Sequence, residues 1–218
     1  ITLVGTAIGL LLTTMTAYVI SRKDFKYRNA LSFFFYFTTL FNGGMVCSYI
    51  FYIQYLHLKD SYLALILPGV FNVFYLLIMR TFVSAIPTAL IESAKIDGAG
   101  EFKTFFSIIL PLLKSGMATI GLFLCFAYWN DWYQSMLYID NTKLLSLQAL
   151  LNQILTNIQM LVQNAATLGA SAAEMLAKMP KEAARMSIVV IIVLPIACAY
   201  PFFQQYFISG LTVGAVKG

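Results

Sequence analysis

The chain has 218 residues, of which 60% are hydrophobic and only 11% charged, with a net charge of +5 and a mean hydropathy of +0.80. Soluble domains carry about twice that share of charge, so a soluble globular protein is excluded. The positive charge is too small and too scattered for a nucleic-acid binder, and membrane topology accounts for it better.

A membrane-spanning helix needs about 20 mostly apolar residues. Five segments qualify: Ile1–Ile20, Ala30–Leu56, Tyr62–Phe82, Leu112–Ile139 and Met186–Ile208. Inside lipid every backbone polar group must find a partner within the segment, which makes each of them a helix. The predicted fold is therefore all-α, a polytopic transmembrane helical bundle. The first segment opens at Ile1, without an initiator Met or a basic n-region. It does not resemble a signal peptide, and we expect residues upstream of it, among them a further spanning helix. Gly5 and Gly9 form a small-xxx-small pair, a cue for close helix contact.

Arg22, Lys23, Lys26 and Arg28 crowd the first short loop. The second carries Lys59 beside His57 and Asp60, a solvated break. The third carries Lys95 and Lys103. The positive-inside bias places the first and third loops and the C-terminal tail in the cytoplasm. The chain start, the His57 loop and the long segment 140–185 fall outside. Gly43-Gly44, Pro68-Gly69, Pro195 and Pro201 interrupt the second, third and fifth segments, as hinges or as static packing features. Cys47, Cys125 and Cys198 are isolated in apolar stretches and give neither a disulfide framework nor metal spacing.

The third loop is the most informative stretch. Pro87 suits the first turn of a helix, and Gly98 suits the left-handed position just past its end. Thr88–Asp97 is predicted as a helix about 15 Å long. Ile86, Leu90, Ile91 and Ala94 lie on its apolar side; Glu92 and Lys95 point elsewhere. A second helix resumes near Glu101, and Phe102, Phe105, Phe106 and Ile109 are expected to pack toward the membrane. Physically, such a helix either lies on the lipid headgroups or grips a soluble partner.

These residues resemble the cytoplasmic signature of ABC importer permeases of the carbohydrate (maltose-type, MetI-like) family: Glu-Ala-Ala, three residues, Gly, nine residues, Ile-x-Leu-Pro. Glu92, Ala94, Gly98, Ile108, Leu110 and Pro111 match, and Ser93 stands for the first alanine. The ending Gln205–Gly218 resembles the tail of maltose-type permease subunits. The resemblance implies one membrane domain over residues 1–218, with a cytoplasmic coupling loop at 83–111 and an extracytoplasmic loop at 140–185. It further implies a second homologous permease subunit in a heterodimer, two cytoplasmic ATPase subunits and an extracellular solute-binding protein, all assembled at the bilayer. Glu92, Ser93, Ala94, Asp97 and Gly98 would form the ATPase-coupling site, with Glu92 paired to a basic residue of the ATPase. The cargo would be a sugar, with an oligosaccharide favoured.

Toward the outer end of the fourth segment lie Trp129, Asn130, Asp131, Trp132 and Tyr133. Aromatics there form an interfacial belt, whereas Asn130 and Asp131 in an apolar run face a cavity or a partner. Sugars bind aromatic faces together with amides and carboxylates, so Trp129, Asn130, Asp131 and Trp132 are pathway candidates. Asn42 and Gln54 are weaker ones, as is Asn72, each explicable by an interhelical hydrogen bond. Farther on, Ser146–Gln163 repeats Leu147, Leu150, Leu151, Ile154, Leu155, Ile158 and Leu161 at helical spacing, with an uncharged, amide-rich opposite face. That helix either packs on the bundle or meets the solute-binding protein. The Ala-rich stretch Ala165–Glu182 is expected on the same docking face.

No phosphate-binding Gly-rich loop with Lys-Ser/Thr is present, so ATP is not expected to bind this chain. Nor is there His/Cys metal spacing or a serine with a plausible base. No cofactor, metal or nucleic acid is expected, and the chain reads as a transport subunit rather than an enzyme. Two other readings compete. An ion-coupled secondary transporter needs ionisable residues deep in the membrane, and only Asp131 qualifies. A non-transporting scaffold would use the third loop to recruit an ATPase for another task.

Overall fold

The computed structural model describes residues 1–41, 43–163 and 181–215, with Asn42, residues 164–180 and residues 216–218 left out. All regular structure among the described residues is helical. Helix α1, Thr2–Ser21, has a mean hydropathy of 1.8 and is long enough to cross a membrane by itself. It packs along both α5 (Val73–Ser84) and α9 (Lys114–Trp129). The core forms where these three meet, from Ala17, Ile20, Leu76, Met79, Val83, Ile120 and Leu124.

The glycine pair of α1 is what lets the helices approach. A Cβ on Gly5 would lie 2.6 Å from the Tyr128 ring of α9, and one on Gly9 would lie 2.9 Å from the Val70 carbonyl oxygen. Tyr128 is fixed in that notch, because its hydroxyl donates to the Ile66 carbonyl at 2.7 Å. Small residues thus form the contact, as the Gly5–Gly9 spacing predicts.

Three of the five expected spans are broken rather than continuous. The Ala30–Leu56 stretch divides into α2 (Arg28–Leu40) and α3 (Gly44–Ile50), the latter continued by a π turn over Phe51–Tyr55. The two halves are inclined at 113°, and Gly44 supplies a positive φ of 80° at the break. The Tyr62–Phe82 stretch divides into α4 (Tyr62–Ile66), a 3₁₀ turn at Leu67–Gly69, and α5, bent by 54°. Asn72 is not an interhelical bridge. Its side chain accepts the Phe74 N–H at 2.8 Å and caps α5, which restarts the helix within an apolar run. The fourth stretch is entered through the short α8 (Leu110–Leu112) and an 83° bend, and it ends early. Helix α9 stops at Trp129, Asn130–Trp132 break the ladder, and α10 covers Tyr133–Tyr138.

Helix α11, Leu147–Gln163, matches the amphipathic stretch. It buries Ala149 and Leu151 and leaves Leu147, Leu150, Ile154 and Leu161 exposed. The last helix, α12, runs from Lys181 to Ala215 with Pro195 and Pro201 inside it, so it begins before the expected Met186. It packs on α9. Most of Ala165–Glu182 lies outside the described residues.

Candidate functional site

Two sites emerge, at opposite ends of the bundle. At the end where α1 finishes, α6 (Thr88–Ile96) and α7 (Glu101–Thr104) form a helix–turn–helix. Pro87 stands one position before the first turn, as the N-cap. Gly98 has φ +75°. Its N–H donates to the Lys95 carbonyl at 3.0 Å, and the Ala99 N–H donates to the Ala94 carbonyl at 2.9 Å. That pair of bonds is a Schellman ending, which requires the left-handed residue glycine tolerates. Among the described residues, nothing beyond its chain neighbours lies within 4 Å of where a Gly98 Cβ would sit, so substitution there is penalised by backbone strain alone. We expect Gly98→Ala to destabilise the turn by about 1–2 kcal/mol, seen as faster proteolytic nicking at Ala99–Gly100 in the purified protein.

Ala94 is buried, and Ile86 and Ile91 pack against the core, as the apolar side predicts. Leu90 is half-exposed. Of the aromatic set on the second limb, Phe105 and Ile109 are buried but Phe102 and Phe106 are exposed. The second limb widens to a π turn over Phe105–Ile109 before Pro111, which has no N–H to give. Its side chains therefore rotate away from simple helical spacing. Glu92, Ser93, Asp97 and Gly98 are exposed, and Ile96 is 86% exposed. Ile96 is a candidate contact the sequence reading missed, although it lies one turn after Glu92 on the same face.

Five side chains hold this element in place. Arg22, just past α1, pairs with Asp24 and with Glu101 at the start of α7. Lys95 of α6 donates to Asp24 at 2.7 Å and lies 3.8 Å from Glu101. The Arg22 guanidinium also donates to the Tyr18 hydroxyl at 3.1 Å, and that hydroxyl donates to Glu101 at 3.4 Å. The Arg22 guanidinium, then the Lys95 ammonium, hold the Asp24 carboxyl well below the usual carboxylate range. A depressed carboxyl contributes its stabilisation in full above its unfolded pKa of about 4, and loses it only as pH falls through the lower folded value. The cluster is therefore intact at neutral pH. Through these contacts the first and third loops, which the charge pattern assigns to the same side of the membrane, share one end of the molecule.

At the other end, the second loop meets the chain after α10. The Asp60 carboxylate accepts the Asn141 and Asp140 N–H groups at 2.8 and 2.7 Å. The Asp60 N–H donates to the Tyr138 carbonyl at 3.0 Å, and Lys59 pairs with Asp140 at 2.6 Å. His57 and Asp60 both take positive φ, 51° and 54°, so this loop is built around the clamp. The two backbone bonds lower the Asp60 pKa. The clamp should hold above the ordinary aspartate range and loosen in acid as pH falls through the depressed value. Asp60→Ala is expected to speed amide exchange at Asp140 and Asn141 on the order of tenfold at neutral pH.

Next to that clamp is the polar break after α9. Asp131 and Asn130 border a cavity of about 320 Å³ together with Gln134, Tyr128, Leu65 and Gly69. The Asp131 carboxylate accepts the Gln134 N–H at 3.1 Å, and the Asp131 carbonyl accepts the Ser146 hydroxyl at 3.0 Å. The Gln134 side-chain oxygen is buried without a partner. Trp129 lines an adjoining cavity of about 230 Å³ together with Asp131, Tyr128 and Ser146. Its indole N–H donates to the Ile192 carbonyl at 3.2 Å, beside the turn where Pro195 leaves α12 one donor short. Trp132 is half-exposed, with its ring edge-on to Tyr133. The structure thus brings Asn130 and Asp131 together with Gln134 around one cavity. Gln54 is exposed on the π turn and does not line that cavity. Asn42 lies outside the described residues. Among the described residues no cluster of His, Cys, Asp or Glu could hold a metal ion.

Residues 5–213 match the family model described as the binding-protein-dependent transport system inner membrane component. The chain belongs to this family. Over 218 residues it is 37% identical to the polygalacturonan/rhamnogalacturonan transport system permease protein YtcP of Bacillus subtilis (strain 168), covering all of this chain and 74% of that one. Protein LplC of the same organism is 38% identical, with all of this chain and 72% of LplC covered. A crystal structure of a bacterial ABC transporter involved in import of the acidic polysaccharide alginate contains a chain of the same fold. The TM-score is 0.78 at 25% identity, covering 94% of this chain and 71% of that one. This chain is thus an inner-membrane permease subunit of a binding-protein-dependent ABC importer with the MetI-like fold, and not a catalytic subunit. An importer of this kind includes an ATPase and a binding protein.

Proposed function

We propose that this permease forms part of the membrane pathway for an oligosaccharide and takes its motion from an ATPase docked on the Glu92–Gly98 turn. The observation that carries the reading is the combination of an ordered Schellman turn at Gly98 with an exposed face of Glu92, Ser93, Ile96 and Asp97. An 86% exposed isoleucine beside two carboxylates suits a partner's groove, with the apolar side chain buried and a carboxylate paired to a basic residue. Five crossings, α1, the bent pairs α2–α3 and α4–α5, α9 and α12, would carry the movement. A second homologous permease subunit would complete the pathway, and two ATPase subunits would close beneath the pair. An extracellular solute-binding protein would deliver cargo at the end that holds the Asp60 clamp and α11.

The sugar assignment draws on the relatives. One is named for polygalacturonan and rhamnogalacturonan, and the structural neighbour belongs to a transporter involved in the import of alginate. The cavity of Asn130, Asp131 and Gln134 offers amide and carboxylate groups of the kind that hydrogen-bond sugar hydroxyls. Uptake of labelled oligosaccharides into proteoliposomes holding the assembled transporter tests this. ATP-dependent uptake of uronate-containing or neutral oligosaccharides, unaffected by ionophores, is expected. Uptake that follows an ion gradient without ATP would overturn it in favour of a secondary transporter.

A further inference from the structure

The Gly98 turn needs a rigid path into the bundle, and its covalent connections do not supply one. α6 joins α5 through Ala85–Pro87, and α7 joins α9 through a π turn and an 83° bend at Leu113. Neither Gly98 nor Gly100 has another described part of the chain within 4 Å of its Cβ position. Force applied at the tip can therefore enter the bundle through two remaining routes. One is the apolar underside, Ala94 and Ile91 on the first limb and Phe105 and Ile109 on the second. The other is the cluster around Arg22, whose side chain is only 11% exposed.

That cluster has the connectivity of a clamp. Lys95 comes before the Gly98 turn and Glu101 after it, so both limbs are held. Lys95 is held through Asp24, and Glu101 through Arg22 and Tyr18. Among the described residues, Arg22 is the one cation that contacts both carboxylates and the tyrosine hydroxyl, by way of three separate guanidinium nitrogens. A planar fork of fixed geometry can do this; a lysine ammonium cannot match it. The anchoring element is α1, which packs along both α5 and α9. Tyr18 adds a ring contact of 5.5 Å to Phe105 on the second limb.

We propose that Arg22 is a positioning residue for transport coupling: it fastens both limbs of the Glu92–Gly98 turn to the cytoplasmic end of α1, so that α1 moves when the turn is displaced. The inference rests on the reading of that turn as the ATPase-docking element. Arg22 itself touches neither ATP nor cargo.

The test uses the whole transporter with its ATPase and binding protein, and measures ATPase co-purification, ATP hydrolysis and substrate uptake separately. Arg22→Gln should keep the ATPase bound and hydrolysis active, while uptake per ATP falls roughly tenfold, the scale of one lost charge-assisted hydrogen bond. Arg22→Lys should fall between Arg22→Gln and the native protein. Glu101→Gln should reproduce the loss, and the double variant should be no worse than either single one, since both remove the same link. A purely structural role would instead lower the amount of assembled transporter and leave uptake per ATP unchanged, which overturns the proposal. Glu92→Lys serves as the separating control. If it abolishes ATPase co-purification while Arg22→Gln couples normally, the clamp is wrong and the docking site stands. If Glu92→Lys transports normally, the docking reading itself has failed.

Discussion

Replacing Glu92 by lysine is expected to leave the permease folded and inserted while uptake falls by at least roughly a hundredfold. Glu92 is exposed on α6, and its side chain has no hydrogen bond or ion pair to any described residue of its own chain. Its loss therefore removes little from the internal fold, and surface changes of this kind shift stability by about 0.5 kcal/mol at most. The effect should fall on the interface. A carboxylate facing a basic group contributes a charge-assisted bond, and reversal turns that attraction into like-charge repulsion, which costs several kcal/mol at a docking surface. ATPase co-purification and ATP-dependent uptake should drop together, with the permease itself unchanged in amount and melting behaviour. Equal loss of folded permease would mean that Glu92 serves the fold and not a partner.

Gly9→Leu should have the largest effect on the fold. A Cβ at Gly9 would approach the Val70 carbonyl to 2.9 Å and Leu124 to 3.4 Å. A carbonyl in the main chain cannot swing aside as a side-chain tip can, so α1 must move away from the 3₁₀ turn that precedes α5. Overpacking costs about 1–3 kcal/mol, and separating α1 here also disturbs the Gly5–Tyr128 notch and the Tyr128 bond to Ile66. We expect little protein in the membrane and, for what is recovered in detergent, a melting midpoint lowered by several degrees. Gly121→Ala is the control, because its new methyl would meet Leu10 at an ordinary 3.5 Å and should be tolerated. Normal accumulation of Gly9→Leu would show that the α1 contact is looser than the structure has it.

The Gly98 turn was legible in sequence because its limits are local. Pro87 and Gly98 bracket a stretch whose ends are decided within a few residues, and the observed helix and left-handed glycine follow from that chemistry. The broken spans were not. Mean hydropathy over a window of about 20 residues does not sense a cap, so Asn72 inside an apolar run passed for an interhelical hydrogen bond when it restarts a helix. Asn130 and Asp131 sit inside an apolar run, yet helix α9 ends just before them. Gly43-Gly44 did signal an interruption, but not its angle, because that depends on what each half packs against. The Arg22 cluster could not be read at all. Arg22 and Glu101 are 79 residues apart, and only the packing of α1 on its neighbours makes them adjacent. Trp129 has the right residue type for a sugar contact, yet its indole N–H is taken by α12.

The most direct test of the docking turn is cross-linking from a cysteine at position 93, in a background where Cys47, Cys125 and Cys198 are replaced by serine or alanine. Ser93 is exposed on α6, one residue from Glu92, so the new thiol should not disturb packing. In inverted membrane vesicles the assembled transporter should give a cross-link between position 93 and the ATPase subunit, with a yield that changes when ATP binds. A thiol reached by membrane-impermeant reagent only from the outer face, with no ATPase cross-link in either orientation, would contradict the account.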